Sequence, residues 1–258
     1  MAISERQVKR IEEVLRSSLR HKIVNYTPES SNMPFHTRLL GKDRLALFSF
    51  IHSLNTNFGT TIFEPVAIEL ASSKFKSASR EVTPGDKISE QAQAEIQRIM
   101  DSLTTAESEP NKSEEVERIR RVCQKGKMVT AKPTKVDLAI ESKSDELYLF
   151  DIKTAKPNAG GFKEFKRTLL EWVATTLADN PSAKVYTAVA IPYNPYAPKA
   201  YSRWTIRGML DLKNELYVAE EFWDFLGGGG AFEDLLAIFE RVGIELRPEI
   251  ERAFAKFK

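Results

Sequence analysis

The sequence has a single cysteine, Cys123, so its 258 residues cannot close a disulfide among themselves. Three histidines, His21, His36 and His52, are scattered along the chain. Zinc sites need several Cys or His ligands at close spacing, and that pattern is missing. A lone cysteine of this kind reads as a small buried residue, and the expected compartment is the reducing cytoplasm. No apolar run is long enough to cross a bilayer. The opening stretch, MAISERQVKRIEEVLRSSLR, lacks a continuous apolar segment and reads as an amphipathic helix rather than a signal peptide, so a soluble, unprocessed protein is expected. A formal net charge of +2 permits a nucleic-acid partner without arguing for one. No internal repeat is visible.

What the chain does have is enough apolar material for a normal core, 42% of residues. Its length suits one α/β domain, taken as 1–258, with an N-terminal helical part to about 125, a core from about 126 to 220 and C-terminal helices. Helical spacing of Val8, Ile11, Val14, Leu15 and Leu19 predicts a helix over Ser4–His21. A loop with Pro28 and Pro34 follows, then a helix over Lys42–Asn55. Pro65 is expected to start another helix carrying Glu64 and Glu69. Further helices are predicted from about Asp86 to Leu103 and from Glu114 to Gln124. KGKMVTAKPTK reads as a basic loop with Lys125, Lys127, Lys132 and Lys135. VDLAIES and LYLFDIKTA then read as two strands around Lys143–Asp145. A helix over Phe162–Asn180, a buried strand in KVYTAVAIPYNP and a helical tail from Ala219, broken at Gly227–Gly230, complete the order. This predicts an α/β layered fold.

The chemistry concentrates in the two strands. Side chains alternate between faces of a strand, so Asp151 and Lys153 project together with Leu147 and Leu149. Asp137, Ala139 and Glu141 share a face of the other strand. A three-residue turn pairs Ser142 with Glu146, and that register sets Asp137 opposite Asp151. Cross-strand partners bring their Cβ atoms to roughly 4.5–5.5 Å. Carboxylates that close repel unless a cation lies between them, and a hard, oxygen-preferring ion such as Mg²⁺ suits two of them. A lysine beside the pair can orient water against a phosphodiester. The bland alternative is a solvated hairpin face, but so much apolar sequence around Asp151 and Lys153 makes unpaired charge costly there.

Other residues extend this candidate site. Glu69, ahead of Glu64, is the expected further acid, with Glu171 as another option. Lys163 and Arg167, with Lys166 nearby, lie on the helix after the hairpin and are candidates for holding DNA phosphates, as is Lys156. The aromatic-rich stretch Ile191–Thr205 offers Asn194, Lys199 and Arg203 for DNA contact. GGGG at Gly227–Gly230 lacks the Lys-Ser/Thr of a phosphate loop and reads as a turn.

VDLAIES and LYLFDIKTAKPN together resemble the core of the PD-(D/E)XK nucleases, with Asp137 as first acid and Asp151-Ile152-Lys153 as the signature. Val136 stands where that pattern has proline. FEPVAIELA, FDIKTAKPN, IPYNPYAPKAYSRWTIRGMLDL and EEFWDFLGGGG are similar to strings in the TdeIII/MjaII group of type II restriction endonucleases. The resemblance implies a restriction-endonuclease-like fold, with Mg²⁺ held by Asp137, Asp151 and the Ile152 carbonyl and catalysis by Asp137, Asp151 and Lys153; with the further acid read above, Glu69 joins the expected catalytic set. It also implies a homodimer cutting double-stranded DNA at a short palindrome, with GGNCC associated with the group. A repair or junction-resolving nuclease on the same core, or a non-catalytic DNA-binding protein, are the alternatives.

Overall fold

In a computed structural model, residues 2–26, 33–153, 161–202 and 208–255 are described. The segment that carries chemistry is the hairpin of β4 (Leu138–Glu141) and β5 (Glu146–Ile152). It forms in the expected register, with Leu138 opposite Phe150 and Glu141 opposite Leu147. Asp145 makes this three-residue turn at φ 59°, a left-handed conformation that Asp tolerates better than most residues. The Ser142 hydroxyl accepts from the Ser144 and Glu146 amides and locks the turn.

Around this hairpin stands a five-stranded sheet in the order β1-β4-β5-β6-β7, where β1 is Ser77–Ser79, β6 is Lys184–Ile191 and β7 is Leu216–Val218. β1 and β4 are antiparallel, as are β4 and β5, whereas β5, β6 and β7 run parallel. The β5–β6 crossover is α7 (Gly161–Asp179), as parallel neighbours require. The alternation of β4 and β5 divides the core in two. Ala139 and Leu149 face one cluster with Leu169, Trp172 and Val173 of α7 and with Ile96 and Ile99 of α5 (Glu90–Thr104). Leu138, Ile140, Phe150 and Ile152 face the other, with Ile11 of α1 (Glu5–Asn25), Val66 of α4 (Glu64–Ala71), Phe222 of α8 (Glu220–Gly227) and Leu235 of α9 (Ala231–Ala255). The sheet is therefore covered on both faces.

Most expected elements are present, with local corrections. α1 begins on a Ser4 capping box closed by Gln7, so the helix starts where the sequence placed it and runs on to Asn25. α3 (Lys42–Phe58) continues through a π-helical turn, Gly59–Phe63, straight into α4. The helix expected from Asp86 starts instead at Glu90, because Ser89 caps it and Lys87–Ser89 form a strand, β2. The strand β2 pairs with β3 (Met128–Thr130), which lies inside the stretch read as a basic loop. The charged helix is α6 (Lys112–Arg120), capped by Asn111. Part of the loop expected before α3, Pro34–Leu40, is helical, as α2. No helix among the described residues is long and apolar enough to cross a membrane.

Candidate active site

At the C-terminal end of β5 the sheet stops pairing with β4, because the last described pair is Leu138 with Phe150. The next amide on that edge, Ile152 N–H, donates instead to Asp137 Oδ2 at 2.8 Å. Asp137 is thus fixed across from the end of β5. In extended backbone the carbonyl of a residue faces the same edge as its N–H, so the Ile152 carbonyl is turned toward Asp137 as well. Asp151 is buried, 4% exposed, and its Oδ1 meets Lys153 Nζ at 2.5 Å. The Lys153 ammonium also stands 5.1 Å from the ring centre of Phe165 on α7, so its position has a second restraint.

Asp137, Ile152 and Lys153 line a cavity of about 610 Å³ together with Glu64, Asn55, Thr56 and Thr60 from the α3–α4 helix and with Gly161, Glu164 and Phe165 from α7. Burial first, and then the neighbouring Asp151 charge, push the Asp137 carboxyl up to about 7, against the opposing pull of the Ile152 amide and Lys153; Glu64 adds to the rise. Glu64 is itself 3% exposed and raised by burial, with Arg80 at 4.0 Å as its nearest cation. This is a concentration of negative charge in a half-enclosed space, the setting in which a cation relieves repulsion.

The donor set fits a hard divalent ion. It has two carboxylates and a backbone carbonyl, all oxygen. Among the described residues no three acidic, His or Cys side chains form a self-contained metal cluster. Mg²⁺ is commonly held by one or two carboxylates while keeping several waters and taking substrate phosphate oxygens, so a fully enclosing cage is not needed.

The further acid is corrected. Glu69 is turned away from the cavity: its carboxylate pairs with Arg10 of α1 at 3.2 Å, and its carbonyl accepts from Gln7. Glu64, on the same helix, is the acid that reaches the cavity, because the two positions face different sides of α4 and α1 claims the side of Glu69. Lys166 is corrected too. It is 0% exposed and bonded to Glu115 and Glu215, so no DNA phosphate can reach it. Lys163 is exposed on α7. Arg167 donates to Gln97 Oε1 at 2.8 Å, and Glu171 is half-buried beside it. Asn194 is engaged in its own loop, donating to the Lys199 carbonyl and accepting from the Tyr196 amide, while the Lys199 side chain is exposed. Lys156 and Arg203 lie outside the described residues. Phe165 went unnoticed in the sequence as a partner for Lys153; its place near the start of the helix after the lysine was the available signal.

Metal-free protein carries a pH signature of this acid pair. The folded-state pKa of Asp137, about 7, lies above its ordinary 3.8, so the folded chain holds a proton that the unfolded chain has lost between those limits. Stability from this group is complete below the lower limit and falls as pH rises toward 7. Asp137→Asn, neutral throughout, should therefore gain stability relative to wild type from about pH 4 to 7, and the gain should level off above that. Denaturant melts in EDTA across this range measure the difference, and a pH-independent difference would contradict the burial described.

A mixed five-stranded sheet flanked by helices, with two acids and a lysine gathered at one end of it, is the fold of the restriction-endonuclease-like class. The chain belongs to one family of that class: residues 3–243 match the model of the HinfI type II restriction endonucleases. It is 30% identical over 225 residues to the type II restriction enzyme MjaII of Methanocaldococcus jannaschii, an alignment covering 76% of this chain and 58% of that enzyme. The type II restriction enzymes HgiCII and HgiEI of Herpetosiphon aurantiacus are 24% and 25% identical, covering 85% and 84% of this chain and 80% and 79% of theirs. The chain thus spans little more than half the length of the first of these relatives.

Proposed function

We propose that this chain is a Mg²⁺-dependent type II deoxyribonuclease that hydrolyses double-stranded DNA at a short palindromic site as a homodimer. The observation carrying the proposal is that Asp137 and Lys153 line one cavity, with Asp151 bonded to Lys153 and its charge acting on Asp137, in a chain of a restriction-endonuclease family. Asp137, Asp151 and the Ile152 carbonyl would hold the ion. When bound, Mg²⁺ makes water more acidic and neutralises charge on the phosphate oxygens. Lys153, steadied by Asp151 and Phe165, orients the water and offsets charge growing on the phosphate. Glu64, close enough to raise Asp137, is the acid available to accept the water's proton or to add a further ligand. The N-terminal helices belong with the core as one domain, since Asn55, Thr56 and Glu64 line the same cavity as the hairpin.

A two-fold dimer would match a palindrome, each copy placing one cavity on one strand. GGNCC is the first sequence to look for. Digestion of a plasmid of known sequence with Mg²⁺, followed by sequencing of the fragment ends, tests the reading. Discrete fragments ending at one repeated short sequence are expected. Cutting confined to branched DNA would favour a repair or junction-resolving nuclease, and DNA affinity with no cleavage would favour a non-catalytic binder.

A further inference from the structure

A second polar groove, about 440 Å³, lies along α7 beyond the catalytic cavity. Three elements build it. Gln93 and Gln97, one turn apart on α5, form one wall; Arg167 and Glu171, one turn apart on α7, form another; Lys132, just after β3, closes the third. All five lining side chains carry hydrogen-bonding groups, and Gln93, Gln97 and Lys132 are exposed. Arg167 is held by a hydrogen bond to Gln97, which leaves the rest of its guanidinium donors free to point outward. Glu171 is the informative residue. It is half-buried, yet among the described residues its carboxylate has no hydrogen-bond or ion-pair partner. Burial raises its pKa while the nearby Arg167 charge opposes the rise, and its oxygens keep their acceptor capacity.

From this groove we infer that Glu171 and Arg167 select base pairs in the DNA major groove. Glu171 would accept from cytosine N4–H, and Arg167, with Lys132 beside it, would donate to guanine O6 and N7. The inference rests on the proposed nuclease reading. A phosphate-holding role fits less well, because a carboxylate in the middle of the groove repels the DNA backbone. A base pair, by contrast, offers a donor beside its acceptors. The position also suits readout near the cut: Phe165 lines the catalytic cavity, and Glu171 lies about 9 Å further along the same helix at 1.5 Å per residue, under three base-pair steps of about 3.4 Å. The carboxyl and guanidinium pair selects G·C over A·T at the position it touches and at the symmetry-related position of a palindrome.

The test uses the full chain and a library of DNA duplexes randomised over ten base pairs. Wild type, Glu171→Gln and Lys132→Ala digest it with Mg²⁺, and the sequences around the cut ends are compared. Glu171→Gln should relax one symmetric pair of G·C positions by about ten- to a hundredfold and leave the other positions unchanged. Lys132→Ala, an exposed change that the fold tolerates, should relax the same positions more weakly. If both variants select as wild type does, or lose rate equally on all sequences with a shallower salt dependence, the base-reading inference is overturned while the nuclease reading stands. If wild type cuts with no sequence preference, both fall.

Discussion

Asp151→Ala loses DNA cleavage by about a thousandfold or more and keeps its fold and its DNA affinity. The magnitude follows from two removals at once. The carboxylate is one of the two carboxylates among three proposed ligands for an ion whose charge stabilisation amounts to several kcal/mol, and each 1.4 kcal/mol is about tenfold in rate. It is also the partner of Lys153 at 2.5 Å, so the ammonium loses one of its two restraints and keeps only the Phe165 ring. Nothing in the substitution harms the resting protein. Asp151 is one of the causes that raise Asp137, and removing it relieves that repulsion. The metal-free variant should therefore melt at or above the wild-type temperature. Binding should be equal or tighter, because one negative charge leaves the path of the phosphates. Single-turnover cleavage of a duplex carrying the selected site, read beside a gel-shift titration and a thermal melt, separates these effects. Cutting within tenfold of wild type would remove Asp151 from the metal site, and loss of binding along with cleavage would make its role structural.

The hairpin was readable from the sequence because two independent signals agreed there. Strand alternation assigned faces, and the short Lys143–Asp145 turn set the register, with Ser142 N–H bonded to the Glu146 carbonyl as that register requires. The acids on α4 were harder. Pro65 marks where the helix starts but says nothing about which of Glu64 and Glu69 turns inward. That choice is made by α1, whose Gln7 and Arg10 occupy the side of Glu69. The small strands β1, β2, β3 and β7 were illegible for a different reason. Each spans three residues, and such strands exist through the partner they pair with rather than through any alternation of their own. Lys166 did carry a signal that its charge obscured. Phe162, Lys166, Leu169 and Val173 recur at helical spacing on the side of α7 that packs inward, and all four are buried.

That buried lysine sets the second large effect, on stability. Lys166 Nζ bonds Glu115 Oε2 of α6 at 2.5 Å and Glu215 Oε2, just before β7, at 2.6 Å. Glu215 Oε1 in turn bonds Lys112 at 2.8 Å, so two lysines and two glutamates form one continuous chain of ion pairs. Burial acts to raise the Glu215 carboxyl, but the two ammonium groups outweigh it and hold the group below the ordinary carboxylate range. The network ties α6 and the approach to β7 onto α7, the helix that carries Phe165 at the cavity and Arg167 and Glu171 in the second groove. Lys166→Met preserves the volume of the stem and deletes the charge. Glu215 keeps Lys112 and the Asp211 amide, but among the described residues Glu115 is left with one hydrogen bond, from the Asn111 amide at 3.3 Å, and the more distant Lys112 charge in a buried setting. Removing one partner from a buried ion pair costs about 3–5 kcal/mol, which for a chain of this size lowers the melting temperature by on the order of 10 °C. Adding Glu115→Leu removes the stranded carboxylate and should recover much of the loss, since the cost comes from the unpaired charge rather than from the missing bond. Urea melts of the single and double variants measure both quantities. A loss below about 1 kcal/mol for Lys166→Met, or a double variant worse than the single, would mean that the network is open to water and does not anchor α7.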